Sequence, residues 1–88
     1  MKIKEGFVYK NVAGNNLIVP IGKEAINFNA MININETGLE IWNCLKANMD
    51  KEQIVEKFVQ TYDIDAKTAE QDVQMFIDQL LKNGIIEL

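Results

Sequence analysis

Few side chains in this sequence could do covalent or acid–base chemistry. The 88 residues include no His, no Ser and no Arg, against one Cys, nine Lys and thirteen acidic residues. Neither a Ser-His-Asp triad nor a Cys-His pair can form, and the usual general acid or base near neutral pH is missing. Cys44 has no His to activate it, so we expect a buried, inert thiol. The composition therefore predicts a protein that is not an enzyme.

A group of acidic residues offers the other candidate chemistry, metal binding. Its members are Asp63, Asp65, Glu70 and Asp72. They fall where a helix is predicted to begin, and negative charge stabilises a helix N-terminus. A tetrahedral zinc site without His and with one Cys would depend on carboxylates, which structural zinc sites do not do. We therefore expect helix capping here, with no metal and no cofactor.

The charge is distributed unevenly along the chain. Residues 1–34 carry a net charge of +2, whereas residues 35–88 carry five Lys and eleven acidic residues, a net charge of −6. So acidic a half would repel a phosphate backbone, and without Arg the commonest specific contact to guanine is missing. No apolar run approaches the roughly 20 residues of a membrane span. We expect a cytoplasmic protein that binds neither nucleic acid nor membrane, and the lone Cys fits a reducing compartment.

The first third of the chain has the composition of strands. Gly6–Ala13 and Leu17–Ile21 are rich in β-branched and aromatic residues, and Gly14-Asn15-Asn16 between them predicts a hairpin turn. Pro20 lacks an amide donor and belongs at the outer end of its strand or at a bulge. Residues 25–34 alternate imperfectly and predict a third strand, irregular in its first half, that leads directly into a helix.

Three helices are predicted after residue 34. Asn35 is the best N-cap of the first, whose Trp42 we expect in the core; Asp50 with Gln53 resembles a capping box for the second; and Asp65 begins the third. The second helix has one apolar stripe, made of Ile54, Val55, Phe58, Val59 and Tyr62. The third ends near Asn83, with Gly84 placed for a left-handed cap and a short strand possible after it. The pattern βββααα predicts one α+β domain over residues 1–88.

The third predicted strand suggests a function. A three-stranded sheet cannot close into a barrel, so at least one edge keeps unpaired N–H and C=O groups. In a simple meander the third strand is an outer strand, and an extended peptide can add to it as a further strand. Such binding needs no catalytic residue. Whether Ile32 or Asn33 directs its N–H outward is left open, as is which of residues 25–34 form the exposed ladder.

The third predicted helix offers a second wall for such a groove. At about 100° per residue, Phe76 lies at the boundary between the core stripe and a polar flank. That flank consists of Asp72, Gln79 and Asn83. Met75 lies further out, and an exposed Met provides adaptable recognition surface. These residues predict an apolar anchor with polar neighbours that fix the register of a peptide.

Several blocks of the sequence together resemble a known family. The blocks are Asn35-Glu36-Thr37-Gly38-Leu39-Glu40-Ile41-Trp42 after an Ile-rich strand, then Ile54 to Tyr62, then Asp72 to Leu81, then Gly84-Ile85-Ile86. Over almost the whole chain they resemble the PqqD-like proteins, the RiPP recognition elements that bind ribosomally made precursor peptides. The most specific part is the block from Ile34 to Trp42.

This resemblance implies a fold and a binding mode. It implies a three-stranded antiparallel sheet that leads into a winged helix-turn-helix-like trio. It also implies that the leader of a precursor peptide adds to the third strand and is delivered to a modifying enzyme, most plausibly a radical SAM maturase. The strand residues implied are Phe28, Asn29, Ala30, Met31, Ile32, Asn33 and Ile34. Phe76, Gln79 and Asn83 would line the facing wall.

Two other classes of function remain open at this point. One is a structural or oligomerising subunit, whose exposed edge pairs with its own copy as a homodimer or stays docked on a larger enzyme. The other is a winged-helix DNA-binding protein, which the acidic helical half disfavours.

Overall fold

A computed structural model describes residues 1–27 and 31–87 of the chain. Its strands are β1 (Lys2–Ile3), β2 (Phe7–Val12), β3 (Asn15–Pro20), β4 (Ile32–Ile34) and β5 (Ile86–Glu87). Its helices are α1 (Lys23–Asn27), α2 (Glu36–Lys46), α3 (Lys51–Tyr62) and α4 (Ala66–Lys82). The main sheet is antiparallel in the order β2-β3-β4, and β1 pairs with β5 in a second sheet. The predicted α+β fold, a three-stranded antiparallel sheet followed by three helices, is confirmed.

The β2–β3 hairpin turns one residue earlier than predicted. Ala13 and Gly14 occupy the turn with φ angles of 52° and 83°, and positive φ at both central residues is typical of a type I′ hairpin turn. Asn15 and Asn16 belong to β3 rather than to the turn. The prediction of a Gly14-Asn15-Asn16 turn was wrong because Asn16 is used inside the fold, where its side chain is 7% exposed and hydrogen-bonded.

The start of the third strand was also predicted wrongly. Strand β4 begins at Ile32, whereas the sequence around Ala25 forms helix α1. The backbone N–H of Glu24 donates to Ile21 O at 3.2 Å, and that of Ala25 donates to Gly22 O at 3.1 Å. Lys, Glu and Ala are good helix formers, and this local preference outweighs an imperfect two-residue alternation.

The predicted helix signals are confirmed. The side chains of Asn35, Asp50 and Asp65 each accept a hydrogen bond from the backbone N–H three residues further on. Asp50 and Gln53 complete the predicted capping box. Gly84 has a φ of 71° directly after the C-cap of α4, the left-handed conformation expected there. These caps fix where α2 and α4 begin, which matters because both helices border the site described below.

One apolar core joins the sheet to the helices. Trp42, 1% exposed, and Cys44, 2% exposed, both lie in it as predicted. The other buried apolar residues are Phe7, Ile18, Ile34, Ile41, Leu45, Ile54, Phe58, Ala69, Val73, Ile77, Leu80, Ile85 and Ile86.

The predicted apolar stripe of α3 is only partly buried. Tyr62 is 40% exposed, and its hydroxyl donates to the carboxylate of Glu40 on α2. Its ring packs edge-on against Phe58, with centroids 5.2 Å apart. Tyr62 is thus an amphipathic edge residue rather than a core residue, because its hydroxyl finds a partner at the surface. This hydrogen bond raises the pKa of the Tyr62 hydroxyl, with a smaller contribution from desolvation.

Within the two described ranges, no helix combines the length and apolar character needed to cross a membrane.

Candidate functional site

Strand β3 directs alternate backbone groups toward its two neighbours, and one hydrogen bond to Gly6 shows which residues face which neighbour. The N–H of Ile21 donates to Gly6 O at 2.7 Å, which makes these two residues a hydrogen-bonded pair of the β2–β3 ladder. Such pairs alternate with non-bonded pairs along an antiparallel ladder. Ile18 and Asn16 therefore direct their backbone groups away from β2 and toward β4.

The phase of β3 determines which backbone groups of β4 remain unpaired. Ile32 is opposite Ile18 and Ile34 is opposite Asn16, so both direct their N–H and C=O toward β3. Asn33, between them, directs its N–H and C=O to the other side. The outward donor left open by the sequence is therefore Asn33 rather than Ile32. An added strand would pair with this residue.

Pro20 limits how the β3–β4 ladder can continue. It is the last residue of β3, as predicted, and in the same alternation its position faces β4. Because proline has no N–H, it cannot extend the ladder with a donor beyond the pair of Ile18 and Ile32.

The C-terminal strand of the chain does not pair with β4. Strand β5 pairs with β1, placing Glu87 opposite Lys2 and Ile86 opposite Ile3. Among residues 1–27 and 31–87, β4 pairs with β3 alone. Within the described ranges, the outer edge of β4 thus has no strand partner.

A groove begins at Asn35, the residue that follows β4, and lies between the start of α2 and the middle of α4. We call it the α2–α4 groove. It encloses about 350 Å³ and is lined by Asn35, Thr37, Gly38, Ile41, Phe58, Asp72, Met75, Phe76 and Gln79. Ile41, Phe58 and Phe76 give it an apolar floor, and Asp72 is its charged residue. A mainly apolar lining with a few polar groups is typical of ligand pockets.

A close contact at Gly38 sets the position of the Phe76 ring. A Cβ placed on Gly38 would lie 2.9 Å from Phe76 Cε1, 3.2 Å from Asn35 Oδ1 and 3.3 Å from Ile34 Cβ. The ring can therefore lie against the first turn of α2 only because residue 38 has no side chain. Phe76 is partly buried in this position, as its place at the edge of the predicted core stripe implies.

A buried polar network holds the sheet against the start of α2. The Asn16 side chain accepts hydrogen bonds from Tyr9 Oη at 2.7 Å and from Asn11 Nδ2 at 3.0 Å. Its Nδ2 donates to Glu36 Oε1 at 3.2 Å, in the first turn of α2. Because Asn16 also pairs with Ile34, this network fixes the junction between β4 and α2.

The structure brings together part of the predicted site. Asp72, Met75, Phe76 and Gln79 all line the α2–α4 groove. Met31, which is 61% exposed, precedes β4, and Ile32, Asn33 and Ile34 form it. Ile34 is 5% exposed, Ile32 is partly buried and Asn33 is exposed, as expected for alternating side chains. The predicted residues Phe28, Asn29 and Ala30 lie outside the described residues.

Asn83 does not line the groove. It is the C-cap of α4, and its Nδ2 donates to the backbone oxygen of Gln79 at 2.7 Å. The amide is therefore used to satisfy the end of its own helix.

Sequence reasoning missed the contribution of α2 and α3 to the groove. Asn35, Thr37, Gly38 and Ile41 come from the beginning of α2, and Phe58 comes from α3. A signal for the first four was present, since β4 was predicted to lead directly into a helix capped by Asn35. The position of Phe58 depends on how α3 packs beneath α4, which periodicity alone does not reveal.

The hydroxyl of the groove is hydrogen-bonded, and the single thiol of the chain is buried. Thr37 Oγ1 donates to Asn35 Oδ1 at 2.8 Å, which occupies the groove's hydroxyl. Burial raises the pKa of the Cys44 thiol, so at neutral pH this side chain is a thiol rather than a thiolate. Within the described ranges, no group of three or more His, Cys, Asp or Glu residues could hold a metal ion.

Comparisons with known proteins agree with this architecture. A solved structure described as TbiB1 in complex with the TbiA(beta) leader peptide matches with a TM-score of 0.81 and 22% sequence identity. The match covers 99% of this chain and 95% of the other, and it shows a shared fold. No curated protein sequence matches the chain significantly. The family model for Coenzyme PQQ synthesis protein D (PqqD) matches residues 17–86, and the chain therefore belongs to the PqqD family.

Proposed function

We propose that this chain is a single-domain, non-catalytic adaptor that binds the leader segment of a ribosomally synthesised precursor peptide. The leader adds to the outer edge of β4 as a further strand and lays alternate side chains over the α2–α4 groove. The observation that carries this proposal is the outward-facing N–H and C=O of Asn33, two residues before Asn35 in the wall of a groove with an apolar floor.

Membership of the PqqD family supports the proposal. The shared fold of TbiB1, a protein whose solved structure contains a leader peptide, supports it as well. The scarcity of catalytic side chains points the same way, since the chain has no His and no Ser and its thiol is buried. Strand addition requires none of these groups, because backbone hydrogen bonds provide the affinity.

The adaptor delivers the remainder of the precursor to a separate modifying enzyme, which we propose to be a radical SAM enzyme. The adaptor has to leave surface free for that second partner. The site occupies one edge of the main sheet and one side of α4, so the outer face of α3 stays available.

The decisive experiment removes the outward donor of β4. Synthetic fluorescent peptides covering the short reading frames that neighbour this chain's gene are titrated with the wild-type protein and with Asn33→Pro. Proline removes the N–H and places a ring where the added strand would lie. We expect affinity to fall at least about tenfold, since a hydrogen bond contributes about 0.5–1.5 kcal/mol and the ring adds a clash.

Asn33→Ala is the matched control, because it keeps the N–H and removes only an exposed side chain. We expect it to bind like wild type, and circular dichroism has to show that both variants are folded. Strand addition to β4 is wrong if a folded Asn33→Pro variant binds as tightly as Asn33→Ala. The adaptor function itself is wrong if none of the peptides binds the wild-type protein.

A further inference from the structure

A second groove lies between α3 and the beginning of α4. We call it the α3–α4 groove. It encloses about 490 Å³, and its apolar lining comes from Val55, Val59 and Ala66. Val55 and Val59 are four residues apart on one face of α3 and only partly buried, although their periodicity alone predicted core positions. These valines therefore form the floor of a surface groove.

The rim of the α3–α4 groove is acidic. Glu52 and Glu56 are four residues apart on α3, and Glu70 lies across the groove on α4. The lining also includes Lys51, but its Nζ lies 3.5 Å from Glu70 Oε1 and is used in that ion pair. Among the described residues, neither Glu52 nor Glu56 forms an ion pair. Glu52 lies in the first turn of α3, where negative charge stabilises a helix, but Glu56 lies one turn further on and adds a like charge at a spacing that destabilises a helix.

The two grooves lie on different sides of α4. At about 100° per residue, Glu70 is about 160° from Asp72 around the helix. Asp72 borders the α2–α4 groove and Glu70 borders the α3–α4 groove, with core residues such as Val73 between them. A peptide in the first groove therefore leaves the second free.

We propose that the α3–α4 groove docks a basic amphipathic segment of the modifying enzyme. Val55 and Val59, four residues apart on α3, can pack against apolar side chains that have the same spacing on a partner helix. The glutamates at the rim attract Lys or Arg residues that flank those apolar side chains. The net charge of −6 over residues 35–88 attracts the same kind of partner at longer range. This docking role rests on the proposed adaptor function, since an adaptor has to engage its enzyme while it holds the leader.

The first test uses two synthetic amphipathic helices with the same leucine stripe. One carries lysines on its polar face and the other carries glutamates, and each is added to the ¹⁵N-labelled full chain. We expect the lysine peptide to shift amide signals of α3 and of the first half of α4, with an affinity that falls as salt rises. Equal binding of the glutamate peptide, or shifts confined to another surface, would overturn the docking site.

Variants measure separately how much the apolar floor and the charged rim contribute to binding of the lysine peptide. Val55→Asp puts a carboxylate on the floor and should weaken binding of the lysine peptide at least about tenfold. Val12→Asp is the matched control, because Val12 is 52% exposed at the end of β2, outside the lining of this groove, and its substitution should change nothing. The double variant Glu52→Gln and Glu56→Gln keeps the side-chain volumes and should weaken binding several-fold at low salt only. If Val55→Asp does not fold, this double variant decides the matter, and undiminished binding by it contradicts the proposal.

The same proteins distinguish this inference from the adaptor function. Val55→Asp should leave binding of the leader peptide unchanged, and Asn33→Pro should leave binding of the lysine peptide unchanged. Loss of leader binding alone in Asn33→Pro supports two separate sites. If no leader peptide binds the wild-type chain while the lysine peptide maps to the α3–α4 groove, the adaptor function fails and the acidic docking surface stands.

Discussion

The two small sheets of this protein differ in how their strands are paired. In the first, the last described strand of the chain, β5, pairs with the first, β1, and Ile86 is 2% exposed. In the second, β4 has three residues, pairs with β3 alone among the described residues, and leaves Asn33 exposed. The β1–β5 sheet joins the first and the last described strand next to the core, whereas the main sheet leaves the outer edge of β4 without a strand partner among the described residues.

This difference separates a paired strand that belongs to the core from an unpaired edge at which we propose that the leader binds. Ile85 and Ile86 belong to the core, and the N–H of Ile85 donates to Leu80 O at 2.9 Å. Residues 85–87 therefore stabilise the fold. Because β5 pairs with β1, these residues do not pair with β4. Unpaired strand edges tend to associate with other chains, so the shortness of β4 limits unwanted pairing while allowing one added strand.

The largest effect that we expect from a single substitution is on stability, at Ile86. Ile86→Ala removes a buried side chain of the β1–β5 sheet and should lower the free energy of unfolding by about 2–5 kcal/mol. Urea unfolding followed by circular dichroism measures it. Binding of the leader peptide by the folded fraction should stay within about twofold, since distant sites are independent to about 0.5 kcal/mol.

Val12→Ala is the control for that experiment, because Val12 is 52% exposed and its truncation should change stability by no more than about 0.5 kcal/mol. The division between a stabilising sheet and a binding sheet fails if folded Ile86→Ala loses leader binding as strongly as Asn33→Pro does.

Helices α2, α3 and α4 could be predicted from the sequence because their signals are local, whereas the five-residue helix α1 was not predicted. Asn35, Asp50 and Asp65 cap the three helices at the predicted residues, and a cap depends on atoms within one turn. The start of β4 was misplaced because the local helix preference around Ala25 outweighs an imperfect alternation, and the hairpin turn was misplaced because it depends on a tertiary contact. Asn16 lies in β3 since its side chain reaches Glu36 in α2, a contact twenty residues away in sequence.

Some parts of the candidate site could likewise be predicted from the sequence, and other parts could not. The wall formed by Asp72, Met75 and Phe76 follows from helix geometry applied to one helix, and the structure places all three along the groove. The role of Gly38 could not be predicted, because a helical glycine shows its use only when the side chain packed against it is known. The outward phase of Asn33 likewise required the register of two ladders.

A smaller effect, on the affinity for the leader peptide, is expected from Gly38→Ala. Its new Cβ would lie 2.9 Å from Phe76 Cε1, so the ring has to move. We expect leader affinity to fall several-fold while stability changes little, because alanine is favoured over glycine in a helix by about 1 kcal/mol and offsets the strain. Fluorescence anisotropy with the leader peptide measures the affinity, and urea unfolding measures the stability.

Phe76→Leu completes a double-mutant cycle with Gly38→Ala. Leucine lacks the Cε1 atom that the Cβ of an alanine at position 38 would contact. Gly38→Ala should therefore cost less affinity in the Phe76→Leu background than in the wild-type protein. We expect a coupling of at least about 0.5 kcal/mol between the two residues, as is usual for residues in contact. Strictly additive losses would show that Gly38 does not set the position of the Phe76 ring.

The smallest effect concerns pH and separates the N-caps of the two helices that border the site, α2 and α4. Hydrogen bonds from Thr68 hold the pKa of Asp65 below its ordinary value, so this cap of α4 contributes above that value and is lost as pH falls through the lowered pKa. Asn35, the cap of α2, does not titrate. In ¹⁵N spectra recorded below about pH 4, the amide of Thr68 should shift while that of Gly38 stays constant. Asp65→Asn should abolish the Thr68 shift, and a parallel shift at Gly38 would mean that acid loosens the whole fold, the groove included.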